Sequence, residues 1–155
     1  MELSRLEVAG PAGRLAGWES DPIAADLPPV LFVPPINMRG LIWEEVAAAL
    51  APARRCVMPD MRAHGESDTA GEFGLDEWLQ DLLAVVDDRG LGPMHVVGGS
   101  LGGPLACCLA VARPDQVLSV TAIGSSLNFE GVDVAAVLDM FAQFGVRGTF
   151  ERVFP

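Results

Sequence analysis

Residues Met94 to Ala110 read MHVVGGSLGGPLACCLA, and the rest of the chain organises around them. Met94 to Val97 is a short apolar run suited to a buried strand, and Leu101 to Ala112 reads as a helix. Between the two, Gly98, Ser100 and Gly102 form G-x-S-x-G at a strand-to-helix turn. A serine on so sharp a turn takes a strained backbone. Glycine on both sides removes Cβ atoms that would strike the neighbouring strand and helix. The hydroxyl is presented at a helix N-terminus, where the dipole and free N–H groups favour developing negative charge. Gly103 lets the new helix pack closely on the sheet. Taken alone, the motif also reads as a glycine-rich turn with Ser100 as the helix N-cap.

Moving outward from this turn, strands and helices alternate. Leu75 to Arg89 has Leu75, Leu79, Leu82, Leu83 and Val86 on one face of an amphipathic helix, closed by Gly90 and Gly92. Before it lie a polar loop (Pro59 to Thr69), a buried strand (Arg55 to Met58) and a helix from about Leu41 to Leu50, stopped by Pro52. Val30 to Val33 is a further continuous apolar strand, ended by Pro34 and Pro35. The opening LSRLEVAG and RLAGWES form a hairpin around Gly10, Pro11 and Gly13. Beyond the central helix, Val117 to Ile123 is a strand, and Val132 to Phe144 has apolar residues at helical spacing. The order implies an α/β fold, a mostly parallel sheet flanked by helices.

The 155 residues carry 10 basic and 21 acidic groups, a formal charge of −11, and the basic residues are all arginine. That balance excludes the positive footprint a nucleic-acid partner needs. No apolar run approaches the roughly 20 residues of a membrane span, and MELSRLEV lacks the apolar stretch of a signal peptide. The chain is therefore expected to be cytoplasmic, with no membrane partner. The three cysteines, Cys56, Cys107 and Cys108, fit buried reduced thiols and neither a disulfide framework nor a metal site.

Several ordered segments make the chain resemble the α/β-hydrolase superfamily. They are the hairpin opening, the strand LFV with its following loop and Trp43, MPDMRAHGESD, GGSLGG and ARPDQVLSVTAIGSS. Within the third, Asp60, Arg62, His64, Gly65 and Ser67 match D-x-R-x-H-G-x-S. The resemblance implies Ser100 as a nucleophile that forms an acyl-enzyme, with the Leu101 backbone N–H as one oxyanion donor. The second donor belongs on the loop after the first buried strand, where relatives usually carry His-Gly. Here Pro34 and Pro35 stand instead, and proline has no N–H. Ile36, or Asn37 if the loop shifts, must then donate. The Asn37 side-chain amide is a candidate substrate or oxyanion contact, against the plainer reading of a turn residue. Arg39 is either an orienting group for an anionic substrate or a solvated arginine.

Ser100 needs a general base, and the chain has two histidines. His64 falls in a loop motif that is usually structural in the family, and His95 lies on the strand before the nucleophile. Family members place the acid and the histidine after later strands, which have no counterpart here. Glu130 and Asp133 are acid candidates only as residues following a strand, and solvated side chains near a helix start are the simpler reading. The expected organisation is a hydrolase core over 1–126 and the start of a helical cap over 127–155. The expected activity is hydrolysis of a carboxylic ester, lactone or related acyl bond in a small-molecule substrate, without metal or organic cofactor. Acid and base would come from a C-terminal part or a second polypeptide. A shortened, non-catalytic binding protein on the same fold, or serine chemistry without the usual histidine, are the alternatives.

Overall fold

The two alternating segments at the start pair antiparallel as β1 (Leu3–Gly10) and β2 (Gly13–Ser20), in register from Leu3↔Ser20 to Gly10↔Gly13. The structure is a computed structural model that describes residues 2–20, 27–72, 74–126 and 143–144. The apolar runs become β3 (Val30–Val33) and β4 (Cys56–Pro59), in which every side chain is buried. Continuous burial is what a strand covered on both faces requires. β5 (Met94–Gly99) and β6 (Val117–Ile123) complete a six-stranded sheet in the order β1-β2-β4-β3-β5-β6. β2 joins β4 antiparallel, and β4, β3, β5 and β6 run parallel.

The side-chain period of two in β3 divides the core. Leu31 and Val33 join Leu6, Val57, Leu82, Val96, Leu105 and others on one face, beneath the helices α2 (Leu75–Arg89) and α3 (Gly102–Ala112). Val30 and Phe32 point the opposite way, to Trp43, Ala47, Cys56 and Met58 beside α1 (Glu44–Leu50). α2 ends as its glycine implied, with Gly90 in the left-handed conformation and its N–H on the last carbonyls.

The order of strands also selects a place on the sheet. From β3 the chain crosses to β4 on one side, and from β4 it returns to β5 on the other side of β3. The carboxyl ends of β3 and β5 therefore flank a switch point, the crevice where open α/β sheets bind ligands.

Three details differ from the sequence reading. The helix expected from Leu41 starts as a 3₁₀ turn, Gly40–Trp43, before α1. A Cβ on Gly40 would lie 2.2 Å from the Met58 carbonyl oxygen, so this entry is pressed tightly onto β4. β5 runs two residues further than Val97, because Gly98 and Gly99 pair with Ala122 and Ile123 of β6. Cys56 is buried, but Cys107 is half-buried and Cys108 exposed, because the outer side of α3 has little packed on it. Among the described residues β6 has no outer neighbour, and Leu118 and Val111 are 52% and 83% exposed. The expected cap, with Glu130 and Asp133, lies outside the described residues apart from 143 and 144.

Candidate active site

Ser100 follows β5 directly and holds φ at +50°. That left-handed backbone costs a residue with a Cβ about 1–2 kcal/mol, so the surroundings must enforce it. They do so through both peptide groups. The Ser100 N–H donates to the Ile123 carbonyl at 2.9 Å, and the Ser100 carbonyl accepts from Gly103 N–H at 3.0 Å and from the Ser125 hydroxyl at 2.8 Å. The flanking glycines are steric necessities. A Cβ on Gly98 would sit 2.0 Å from the Gly102 oxygen, and one on Gly102 would sit 2.4 Å from the Val33 oxygen. A Cβ on Gly103 would meet the Ser125 hydroxyl at 2.1 Å. Ser100 is exposed, and its hydroxyl has no hydrogen-bond partner among the described residues. The N-cap position of α3 is Leu101, without a side-chain capping bond, so the plain capping role for Ser100 does not hold.

The loop after β3 lies beside this turn. Val33 pairs with Gly98, and the Pro35 ring and the Trp43 indole close on the space where a Gly99 Cβ would be, at 3.2 and 3.0 Å. Met38 N–H donates to the Pro35 carbonyl at 3.1 Å, with Asn37 at φ +63°. This is a β-turn with its positive φ at the third position, a place that favours Gly or Asn. Asn37 is thus a turn residue. Its backbone N–H donates to His64 Nε2 at 2.9 Å and is already engaged. The N–H groups of Ile36 and Leu101, by contrast, have no acceptor among the described residues.

The D-x-R-x-H-G-x-S segment braces the loops at this end of the sheet. Asp60, almost fully buried, accepts the Gly40 N–H at 2.6 Å and the Glu66 N–H at 2.9 Å. Gly65 (φ +53°) leaves room for that carboxylate, which a Cβ would meet at 2.0 Å. The Ser67 hydroxyl donates to the Asp60 carbonyl and accepts from Ala16 N–H. The Arg62 guanidinium forms a two-pronged pair with Asp81, Nε to Oδ2 at 2.8 Å and Nη2 to Oδ1 at 2.6 Å, and also donates to the Glu72 and Glu77 carbonyls. The hydrogen bonds that Arg62 donates to Asp81 outweigh burial and push the Arg62 pKa further up, so the group stays charged.

Neither histidine is placed as the base for Ser100. Both ring nitrogens of His64 are committed, Nε2 to Asn37 and Nδ1 to the Arg62 carbonyl at 3.0 Å. His95 is near the opposite end of β5, five residues or about 16 Å from Ser100 along the strand, and its Nδ1 meets the Ser119 hydroxyl. Arg39 pairs with Glu66 at 2.9 Å, the surface role of a solvated arginine. Glu66 lies below the usual carboxylate range because it accepts hydrogen bonds from Arg5 and then Arg39. Among the described residues no three His, Cys, Asp or Glu side chains are grouped to hold a metal, and no helix is long and apolar enough to cross a membrane. Sequence reasoning missed Asp81 and Ser125. Asp81 is a buried acid on an otherwise apolar helix face, which was the one available signal.

A family model described as the alpha/beta hydrolase fold matches residues 28–154, and the chain belongs to this family. It is 36% identical over 110 residues to Lipase LipV of Mycobacterium tuberculosis, covering 71% of this chain and 42% of that one. It is 32% identical over 107 residues to the human mitochondrial palmitoyl-protein thioesterase ABHD10, covering 65% of this chain and 34% of that one. A solved α/β hydrolase from Novosphingobium aromaticivorans superposes with a TM-score of 0.71 at 29% identity, over 78% of this chain and 44% of that one. The chain spans less than half the length of each.

Proposed function

We propose that this chain carries the nucleophile and oxyanion half of a serine hydrolase acting on a carboxylic ester, lactone or related acyl bond. Ser100 Oγ attacks the carbonyl carbon while a general base takes its proton. The tetrahedral oxyanion is held by the N–H groups of Leu101 and Ile36. Collapse of that intermediate expels the alcohol, which receives the proton, and leaves an acyl-serine for water to hydrolyse. Nucleophile, donors and base suffice, so the reaction needs no metal or organic cofactor. Acid and base come from outside the described residues, in a C-terminal part or a second polypeptide. The length of the relatives and the commitments of His64 and His95 favour that source.

The observation that carries this reading is Ser100 itself: an exposed hydroxyl without a partner among the described residues, on a left-handed turn at the sheet's switch point. The named activities of the lipase and the thioesterase, both acyl-transfer reactions, point the same way. Ile36, Met38 and Ile123, each about half exposed near this end of the sheet, suit an apolar substrate. Asn37 offers its side-chain amide beside them. Treating the full-length protein with a fluorophosphonate should add mass at Ser100, and Ser100→Ala should abolish both labelling and ester hydrolysis. Full activity in Ser100→Ala would exclude the mechanism. Absent labelling of the assembled protein would favour a non-catalytic binding role.

A further inference from the structure

Both ring nitrogens of the half-buried His64 are engaged away from Ser100, and its ring is fixed on several sides. Nδ1 faces the Arg62 carbonyl at 3.0 Å, and Nε2 faces the Asn37 N–H at 2.9 Å. A carbonyl can only accept and a backbone N–H can only donate, so the ring must be neutral with its proton on Nδ1. Its edge rests on the Trp78 indole, at 5.8 Å between centroids and 68° between planes. Behind it, Arg62 is locked by Asp81. On either side the backbone turns left-handed, at Ala63 (φ +63°) and Gly65 (φ +53°). Strain of this kind at a residue with a Cβ persists only where the fold enforces it.

The far end of this chain of contacts is the oxyanion loop. Asn37 N–H belongs to the central peptide of the 35–38 turn, the unit whose rotation converts one turn type into another. We infer that His64 is a positioning residue for the oxyanion hole: through Nε2 it grips the central peptide of the turn and so keeps the Ile36 N–H open to the oxyanion formed at Ser100. The inference rests on the serine-hydrolase reading of that site. The charged groups around the ring are Arg39, which shares an open depression with His64 and is paired to Glu66, and Arg62, whose guanidinium is turned to Asp81. Asp60 lies beneath Gly65, and its oxygens are taken by backbone N–H groups.

The test separates the two sides of the ring, using the full-length protein and p-nitrophenyl butyrate as probe substrate. A glutamine reaches the Nε2 position and keeps an acceptor for Asn37. An asparagine reaches only the Nδ1 position and loses it. Removing one oxyanion donor lowers kcat by about 10²–10³-fold, so His64→Asn should lose roughly 30-fold or more in kcat with KM within about threefold. His64→Gln should recover to within about fivefold of wild type on the same scale. His64→Asn with wild-type kcat, or His64→Gln as impaired as His64→Asn, would overturn the inference. If the variants do not fold, long-range ¹H–¹⁵N spectra of wild type decide: protonated Nδ1 and bare Nε2 are expected, and the opposite tautomer refutes the grip. That spectrum does not depend on catalysis, so it distinguishes failure here from failure of Ser100 to act as nucleophile.

Discussion

Removing the Asp81 carboxylate is the sharpest test of how this end of the sheet is held. Arg62 and Asp81 are 5% and 1% exposed, so Asp81→Ala leaves a charged guanidinium in a place water barely reaches. Removing one partner of a buried pair costs about 3–5 kcal/mol. Here the Glu72 and Glu77 carbonyls still accept from Arg62, at 2.9 and 3.1 Å, which puts the loss toward the lower figure, about 3 kcal/mol. Arg62→Met alone leaves the Asp81 carboxylate the residue-62 backbone N–H, at 3.3 Å, in place of the guanidinium, and should cost a similar amount, about 3 kcal/mol. The double variant Asp81→Leu with Arg62→Met places apolar groups where the pair was, and such replacements are often neutral or stabilising. Urea denaturation of the full-length protein, with unchanged slope, measures the three values. The double variant should lie at least about 2 kcal/mol above the sum of the single losses, by about the strength of a broken buried pair. Single losses under about 1 kcal/mol, or strict additivity, would show that the pair is solvated like a surface bridge and would refute the reasoning.

Other consequences are as direct. Gly103→Ala drives a methyl into the Ser125 hydroxyl at 2.1 Å and should cost about 1–3 kcal/mol in thermal melts, with Ser125→Gly as a partial suppressor. Ser125→Ala removes the hydroxyl bond to the Ser100 carbonyl. It should lower stability by about 1 kcal/mol and slow fluorophosphonate labelling at Ser100. Burial pushes the Cys56 thiol up, so it should resist a maleimide at neutral pH until denaturant opens the core; early mass addition there would contradict its packing. The Glu66 carboxylate has a folded pKa depressed by Arg5 and Arg39, so its contribution to stability is present above its unfolded pKa and is lost as pH falls through the folded one. The stability gap between wild type and Glu66→Gln should therefore close on acidification, and a gap that widens would reverse the assignment.

The elements were legible because their signals are local. VLFV and MHVV read as buried strands from continuous apolarity, and α2 read as a helix from its repeat. G-x-S-x-G carried the expectation that a Cβ beside the serine would strike the neighbouring strand and helix, and the structure places the Gly102 and Val33 oxygens there. The supports of the site were not legible, because each joins residues far apart in the chain. Asp81 reaches Arg62 across 19 positions, Ser125 reaches Ser100 across 25, and Asn37 reaches His64 across 27. The choice between Ile36 and Asn37 as donor was open for the same reason. A list of turn-forming residues does not say which N–H a distant imidazole will take.

From its sequence alone this protein reads as an α/β fold with a mostly parallel sheet and a serine on a sharp strand-to-helix turn, since apolar runs, side-chain period and glycine spacing are local properties of the chain. Only the tertiary structure decided which loop lies beside that serine, which backbone N–H groups there lack an acceptor among the described residues, and what the two histidine rings bond to. Those depend on strand order: with β3 set between β4 and β5, the loops after all three strands meet at one end of the sheet. Hydrogen bonds between them then hold His64, Asp60 and Ser67 in place.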